Sequence, residues 1–449
     1  MVTGIALGLL LAIGLRAPVA SHTPGPDDTV RFNRDEFGLR LHTESPLSDR
    51  ACLLFPSKNG VIRSAQLLTT DGKTYIGRMP AATSLRYAFW LGDSTYKPGT
   101  TGSFCDAKGV RTADVPVWYE QASASYPEIK PPRWPSEGAV LYALDSDRFG
   151  DGSLQEKGAQ GFTKHVDYLQ SLGVNGVWLT ELHQDAGDVI EDVHRLDWHV
   201  VAESDAPPRD VDGVVSSNPA GGKGWRLRAG ASGAQALTGN GVWDLRWSDS
   251  ITGLVRDAST APSQWAAEMN AIRAGYPDTV SDQMVTRIGG DNRPRPWTLL
   301  KGDKARLQQL WLLVMSLPGV PVIDAGDEVG LREADGRMDW DPTHQDSTTL
   351  DMVKRLIQMR VTRPSIYRGT FRTLDLGDDN HIFAFERTDR AEATLVLLNS
   401  SDDAQNVRVP VAQYGSANLR TLFGNLPFSV AGTTISVSIP PRGCLAIGN

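Results

Sequence analysis

The sequence predicts an α/β chain in which a central run of alternating strands and helices, and hence a parallel sheet, lies between two all-β segments. Three observations predict it. β-Rich runs broken by Gly, Pro, Asp and Ser occupy residues 29–122, and the same pattern returns after Arg368. Between them the hydrophobic period changes to that of helices separated by short apolar strands. The length of 449 residues accommodates about three domains at ~150 residues each.

The chain opens on Ile5–Leu15, an apolar run followed by small residues, which reads as a signal-peptide core within residues 1–21 and predicts a secreted or exported protein. Met1–Gly4 contribute no Lys or Arg to that reading. Residues 27–125 carry TVRFN, FGLRLHT, CLLF, SAQLLTT and LRYAFWLG, the pattern of a β-sandwich. Residues 126–136, with prolines at 127, 131, 132 and 135, can continue neither sheet nor helix and form a linker.

From 137 to 367 the pattern is βα. A strand at Ala139–Leu144 precedes a helix marked by Phe162, Val166, Leu169 and Leu172, and a strand at Val174–Thr180 follows. A helix carrying Val189, Val193 and Leu196 leads to a strand at Trp198–Ala202. Residues 206–248 are rich in Gly, Ser, Asp and Pro, with only 224–230 and 241–247 as short strand candidates. Regular alternation resumes with a helix over Trp265, Met269 and Ile272, a strand at Gln283–Ile288, and an apolar helix at Ala305–Leu317. The string PGVPVIDAGDEVG then supplies a buried strand, and Leu350–Val361 a last amphipathic helix. That makes seven strand candidates and no convincing sixth stave. Residues 368–449, with HIFAFER, ATLVLLNSS, NVRVPV and TISVSIPP, form a second β-sandwich.

Composition narrows the function classes. With 45 basic against 53 acidic residues, a net charge of −8 and no Lys/Arg run longer than two, the composition argues against nucleic acid or anionic lipid as the main partner. The apolar run at the start is too short for a bilayer, so no integral membrane association is expected. Cys52, Cys105 and Cys444 lack metal-site spacing; a Cys52–Cys105 disulfide and free thiols both stay open.

Several strings together resemble the α-amylase family of glycoside hydrolases, family 13: VLYALDSDRFGDG, KHVDYLQSLGVNGVWLTELH, KARLQQLWLLVMSLPGVPVIDAGDEVGL, and RMDWDPTHQD ahead of LIQMRVTRPSIYRGTF. The order of a β-sandwich, a barrel and another β-sandwich is similar to the cyclomaltodextrinase and neopullulanase branch. The resemblance implies a (β/α)8 TIM-type barrel, here shortened, with its site at the C-terminal ends of the strands. It also implies an α-glucan or maltooligosaccharide as the bound molecule and a retaining mechanism on α-1,4-glucosidic bonds, using two carboxylates about 5 Å apart.

Carried over residue by residue, the family's motifs are altered. The third-strand Asp position holds Glu203, and Pro207-Pro208 replace the following Asn-His pair. The fourth-strand motif matches Gly224-Trp225-Arg226-Leu227-Arg228-Ala229, which keeps the orienting arginine as Arg226 and puts Arg228 where the nucleophilic Asp belongs. A guanidinium cannot attack an anomeric carbon. The fifth-strand string Gly241-Val242-Trp243-Asp244 lacks the general-acid Glu. In the ungapped seventh-strand register Asp291 replaces the His and Asn292 the stabilising Asp, while a one-residue shift would keep Asp291 as the acid.

Asp147 and Asp151 resemble the calcium-binding start of the barrel; beyond structural calcium no cofactor is expected. Asp327 and Glu328 read as structural, His194 and His199 as satisfied structural histidines, and Arg228 is free to pair with Glu203 in the space of the substrate. Three readings follow. One is a family member that has lost its nucleophile and acid. Another is an active hydrolase using Glu203, Asp205, Asp244 or Asp291, and the last is an α-glucan-binding protein that does not cut. Nothing in the sequence sets the oligomeric state.

Overall fold

The computed structural model describes residues 132–151, 158–217, 224–228, 239–257, 259–290, 293–332, 337–390, 392–410 and 419–449. In the first part of the chain it describes residues 20–23, 28–31, 36–44, 46–47, 51–57, 62–69, 73–82, 84–91 and 118–122. Two compact units result: residues 1–130 with 233–235 and 270–278, and the rest of the chain.

The first unit holds two antiparallel sheets. One pairs Ala20–Ser21, Thr29–Arg31, Glu36–Thr43, Thr74–Pro80 and Leu68–Thr69; the other pairs Ile62–Gln66, Cys52–Pro56, Ser84–Trp90 and Tyr119–Ala122. Phe37, Leu39 and Tyr75 of the first sheet share a core with Leu53, Leu85 and Tyr87 of the second. Period-2 burial of this kind makes a sandwich. Cys52 is disulfide-bonded, and Cys105 lies outside the described residues.

In the second unit seven parallel strands form one sheet. They are β1 (Leu141–Leu144), β2 (Gly176–Leu179), β3 (His199–Glu203), β4 (Gly213–Ser216), β5 (Trp225–Arg228), β6 (Val285–Arg287) and β7 (Val320–Asp324), in the order β5-β4-β3-β2-β1-β7-β6. Among the described residues the helices of ten residues or more are α1 (Gly158–Leu172), α2 (Ala186–Arg195), α3 (Leu245–Arg256), α4 (Pro262–Ala274), α5 (Lys304–Ser316) and α6 (Ser347–Thr362). β4 is absent from the sequence prediction, because a four-residue GVVS within a Gly- and Asp-rich stretch gives no period to read. No helix separates β3 from β4, since residues 204–212 connect them directly.

The two open edges, β5 and β6, are linked by an extended segment that is not a regular strand. Asn240 and Gly241 donate their N–H groups to Arg226 O at 3.1 and 3.0 Å, and Val285 N donates to Val242 O at 2.8 Å. Residues 240–243 therefore occupy the eighth stave position, and the shortened barrel has a neighbour on both sides of every strand. Gly241 permits this: a Cβ there would lie 2.3 Å from Trp225 Nε1 and 2.7 Å from Leu227 Cδ2.

One cluster fills the interior and draws on all eight positions: Leu141, Ala143, Trp178, Val201, Val215, Trp225, Leu227, Trp243, Val285, Val320 and Val322. Complete burial of each such side chain is worth about 1.5–3 kcal/mol. At the N-terminal end Trp134 stacks on His199, with ring centres 4.4 Å apart. α5 is the most enclosed helix, capped at its start by Asp303, which accepts from Ala305 N and Arg306 N. Its terminal carbonyls are covered by two fully buried arginines: Arg360 donates to Met315 O, Leu317 O and Gly319 O, and Arg387 to Ser316 O. Burial pushes the Arg360 guanidinium down to about 9.

The C-terminal segment forms sheets of five and three antiparallel strands around Leu395, Leu397, Val407, Ile435 and Leu445. Cys444, buried beside this core, is a free thiol that burial pushes up to about 12. Among the described residues no helix is long and apolar enough to cross a membrane.

Candidate functional site at the barrel mouth

In each barrel strand, alternate residues face inward, and the inward position at the C-terminal end is where a catalytic side chain stands. On β3 that position is Glu203, two residues beyond Val201. On β6 it is Arg287, two beyond Val285, and on β7 it is Asp324, two beyond Val322. These three side chains meet. Arg287 Nη1 donates to Glu203 Oε1 at 2.7 Å, while Nε and Nη2 donate to Asp324 Oδ1 at 3.0 and 2.6 Å.

Two tryptophans wall the guanidinium. Its central carbon lies 5.6 Å from the Trp178 ring centre and 5.5 Å from that of Trp243, and the two rings stand at 81° to each other. Trp178 Nε1 donates to Glu203 Oε1 at 2.5 Å, which fixes the carboxylate. The Arg287 side chain is 3% exposed, so the charge is held by its partners and by the ring faces, not by water. Asp324 Oδ2 is buried without a hydrogen-bond partner. Behind it Arg295 pairs with Asp327 at 2.7 Å; burial, with Asp324 nearby, pushes the Asp327 carboxyl up to about 8 against the pull of Arg295.

Chemically, a retaining pair needs one carboxylate open to the anomeric carbon and a second open to the leaving oxygen. Here both strand-end carboxylates point at one permanently charged guanidinium, which stands between them. The Arg287 guanidinium fills the space between the two carboxylates.

The residues read from the motifs fare differently. Glu203 is at the centre, but its partner is Arg287, which corrects the expected pairing with Arg228. Trp225 and Leu227 take the inward positions of β5, so Arg226 and Arg228 lie on the opposite face, half-buried. The hydrophobic pattern decides this, because a slip of one residue turns every side chain of a strand over. Asp291 and Asn292 lie outside the described residues.

Other carboxylates of the active-hydrolase reading have structural work. Asp205 accepts from Ser217 N and Oγ at 2.8 and 2.9 Å, tying the ends of β3 and β4 together. Asp244 caps α3 and pairs with Arg246 at 2.6 Å. Glu328 accepts from Tyr142 and Tyr168 hydroxyls at 2.8 and 2.5 Å and is fully buried, in a single 3-10 turn, Asp327–Val329, where a strand was expected. His194 and His199 flank Asp212 at 3.0 and 3.6 Å.

For a metal, Asp147 and Asp151 do not form the converging group. Among the described residues the carboxylate and imidazole atoms that converge belong to Asp145, Glu181 and His183, just beyond the ends of β1 and β2. His183 Nε2 lies 2.6 Å from Asp145 Oδ1, and Asp147 Oδ2 lies 3.7 Å from His183 Nδ1. A nitrogen donor in that set does not fit calcium, which takes oxygen ligands. Away from the mouth, a shallow groove of about 580 Å3 between α1 and α2 is lined by Thr163, Lys164, Asp188, Glu191 and Arg195.

Residues 371–445 match the family described as Maltogenic Amylase, C-terminal domain. The cyclomaltodextrinase of Geobacillus thermopakistaniensis is 28% identical over 186 residues, which is 40% of this chain and 32% of that protein. These likenesses support a member of the α-amylase family of glycoside hydrolases, in the branch of the cyclomaltodextrinases, neopullulanases and maltogenic amylases. Neopullulanase 2 of Thermoactinomyces vulgaris is 28% identical over 154 residues, 33% of this chain and 26% of that one. The chain thus spans about a third of the length of the curated relatives it matches. Among solved structures of the α-amylase fold, a cyclomaltodextrinase superposes with a TM-score of 0.71 at 16% identity, covering 96% of this chain and 99% of that one. The maltogenic amylase from S. marinus gives 0.61 at 16% identity, over 96% and 82%.

Nothing in the sequence brings Arg287, Asp324, Trp178 and Trp243 together as one site. The signal was available for two of them. Arg287 and Asp324 are the charged residues that end the two apolar strands VTR and VPVID in inward register.

Proposed function

We propose that this α-amylase-family chain belongs to α-glucan metabolism and does not hydrolyse α-glucan. One observation supports the reading: Arg287 stands between Glu203 and Asp324, against Trp178 and Trp243, at the C-terminal ends of the barrel strands. The likeness to cyclomaltodextrinases supports a maltooligosaccharide or α-glucan as the molecule the fold descends from binding. Fold by itself does not give activity, because chemistry resides in the site.

The test is reducing-sugar release from maltoheptaose, β-cyclodextrin and soluble starch, using protein that melts cooperatively. Turnover by wild-type protein would end this reading, and its loss or persistence in E203Q would show whether Glu203 or another carboxylate reacts. Export is part of the proposal, supported by the disulfide-bonded Cys52, which suits an oxidising compartment. Recovery of mature protein from the medium or periplasm, with its N-terminus sequenced, tests it.

A further inference from the structure

We propose that the barrel mouth is a binding cage for a planar organic cation, which the chain fills with its own Arg287. The cage has two aromatic walls at right angles, Trp178 and Trp243, each about 5.5 Å from the guanidinium carbon. Opposed to them are two carboxylates, and together they hold three N–H groups of the one cation. A guanidinium suits this arrangement better than an ammonium. It is flat, so it lies against ring faces, and its forked donors reach two acceptors at once.

The cage is built independently of its occupant. Glu203 is oriented by Trp178 Nε1. β6 is held by Val285 N on Val242 O and by the ladder that pairs Arg287 with Val322, and Trp247 Nε1 donates to Thr286 Oγ1 at 2.9 Å on its other face. Truncating Arg287 beyond Cβ thus leaves strand, rings and carboxylates in place around a guanidinium-sized hole. That hole is bordered by the two carboxylates that Arg287 bonds, and Asp324 Oδ2 is an additional buried acceptor. Small guanidinium ions are the class of ligand it takes. The proposal does not depend on whether the chain turns over glucan.

The experiment is chemical rescue of Arg287→Ala, followed by thermal unfolding in guanidinium chloride from ~1 to ~20 mM, far below denaturing concentrations. Sodium chloride at equal ionic strength and urea, the neutral isostere, serve as controls. The midpoint of R287A is expected to rise with saturation as guanidinium is added, while wild type and R287K stay flat. Adding Glu203→Gln to R287A should weaken the apparent affinity about tenfold or more, the equivalent of one charged hydrogen bond. A folded R287A that responds no more to guanidinium than to sodium chloride or urea overturns the proposal, as does an equal response in wild type. If R287A does not fold alone, refolding in ~20 mM guanidinium decides: recovery of a cooperative transition supports the cage, and no recovery overturns it.

Discussion

At the residue scale the central feature is a buried cation paired with two carboxylates. Arg287 compensates two carboxylates, so removing it leaves buried like charges, and R287A is expected to lose about 3–5 kcal/mol in urea unfolding. Asp327 gives a pH dependence with a definite sign. Its carboxyl sits at about 8 in the folded chain, against an ordinary value of 3.8. The folded state therefore keeps a proton that the unfolded state has lost between about pH 4 and 8. Stability from this group is fully present below pH 4 and lost as pH rises toward 8. Across pH 5–8 the wild-type melting temperature should fall relative to that of D327N, whose amide cannot titrate; parallel profiles would contradict the assignment. Glu203 was legible in the sequence as an acid ending a strand, whereas its partner was not. The motif match put Arg228 in the site, but Trp225 and Leu227 claim the interior and turn Arg228 away.

At the element scale the barrel depends on two irregular solutions. Residues 240–243 stand in for a strand, and Gly241 is what lets them lie against Trp225. Gly241→Ala is expected to cost about 1–3 kcal/mol through overpacking, measured by urea unfolding, although the position is in a connecting segment. α5 depends on its caps. Asp303→Ala should cost about 1 kcal/mol, from the loss of two N–H partners at the helix start. The long periodic helices were legible because burial on one side repeats over several turns. α5 was placed at Ala305–Leu317 from its apolar run and is found at Lys304–Ser316. β4 was not legible, since four residues cannot establish a period and its neighbours in sequence are Asp, Gly and Ser.

For the whole molecule, the shortened barrel and its flanking β domains share the fold of cyclomaltodextrinases and maltogenic amylases, while the centre of the barrel mouth is an ion-paired network of Glu203, Arg287 and Asp324. The C-terminal sandwich matches the maltogenic amylase C-terminal domain over residues 371–445, and the barrel has eight stave positions with no helix between β3 and β4. Interior tryptophans and strand-end charges that could serve a sugar serve each other. The family was legible from strings such as VLYALDSDRFGDG and VPVIDAGDEVG, because those segments build strands β1 and β7 and the turns beyond them. The state of the site was not, because it depends on which face of a short strand each charge takes. The most direct measurement is a crystal structure of the protein grown with maltoheptaose. The Arg287 guanidinium is expected between Glu203 and Asp324, with no glucosyl ring at the barrel centre. A ring seated between Trp178 and Trp243, with Arg287 displaced, would contradict it.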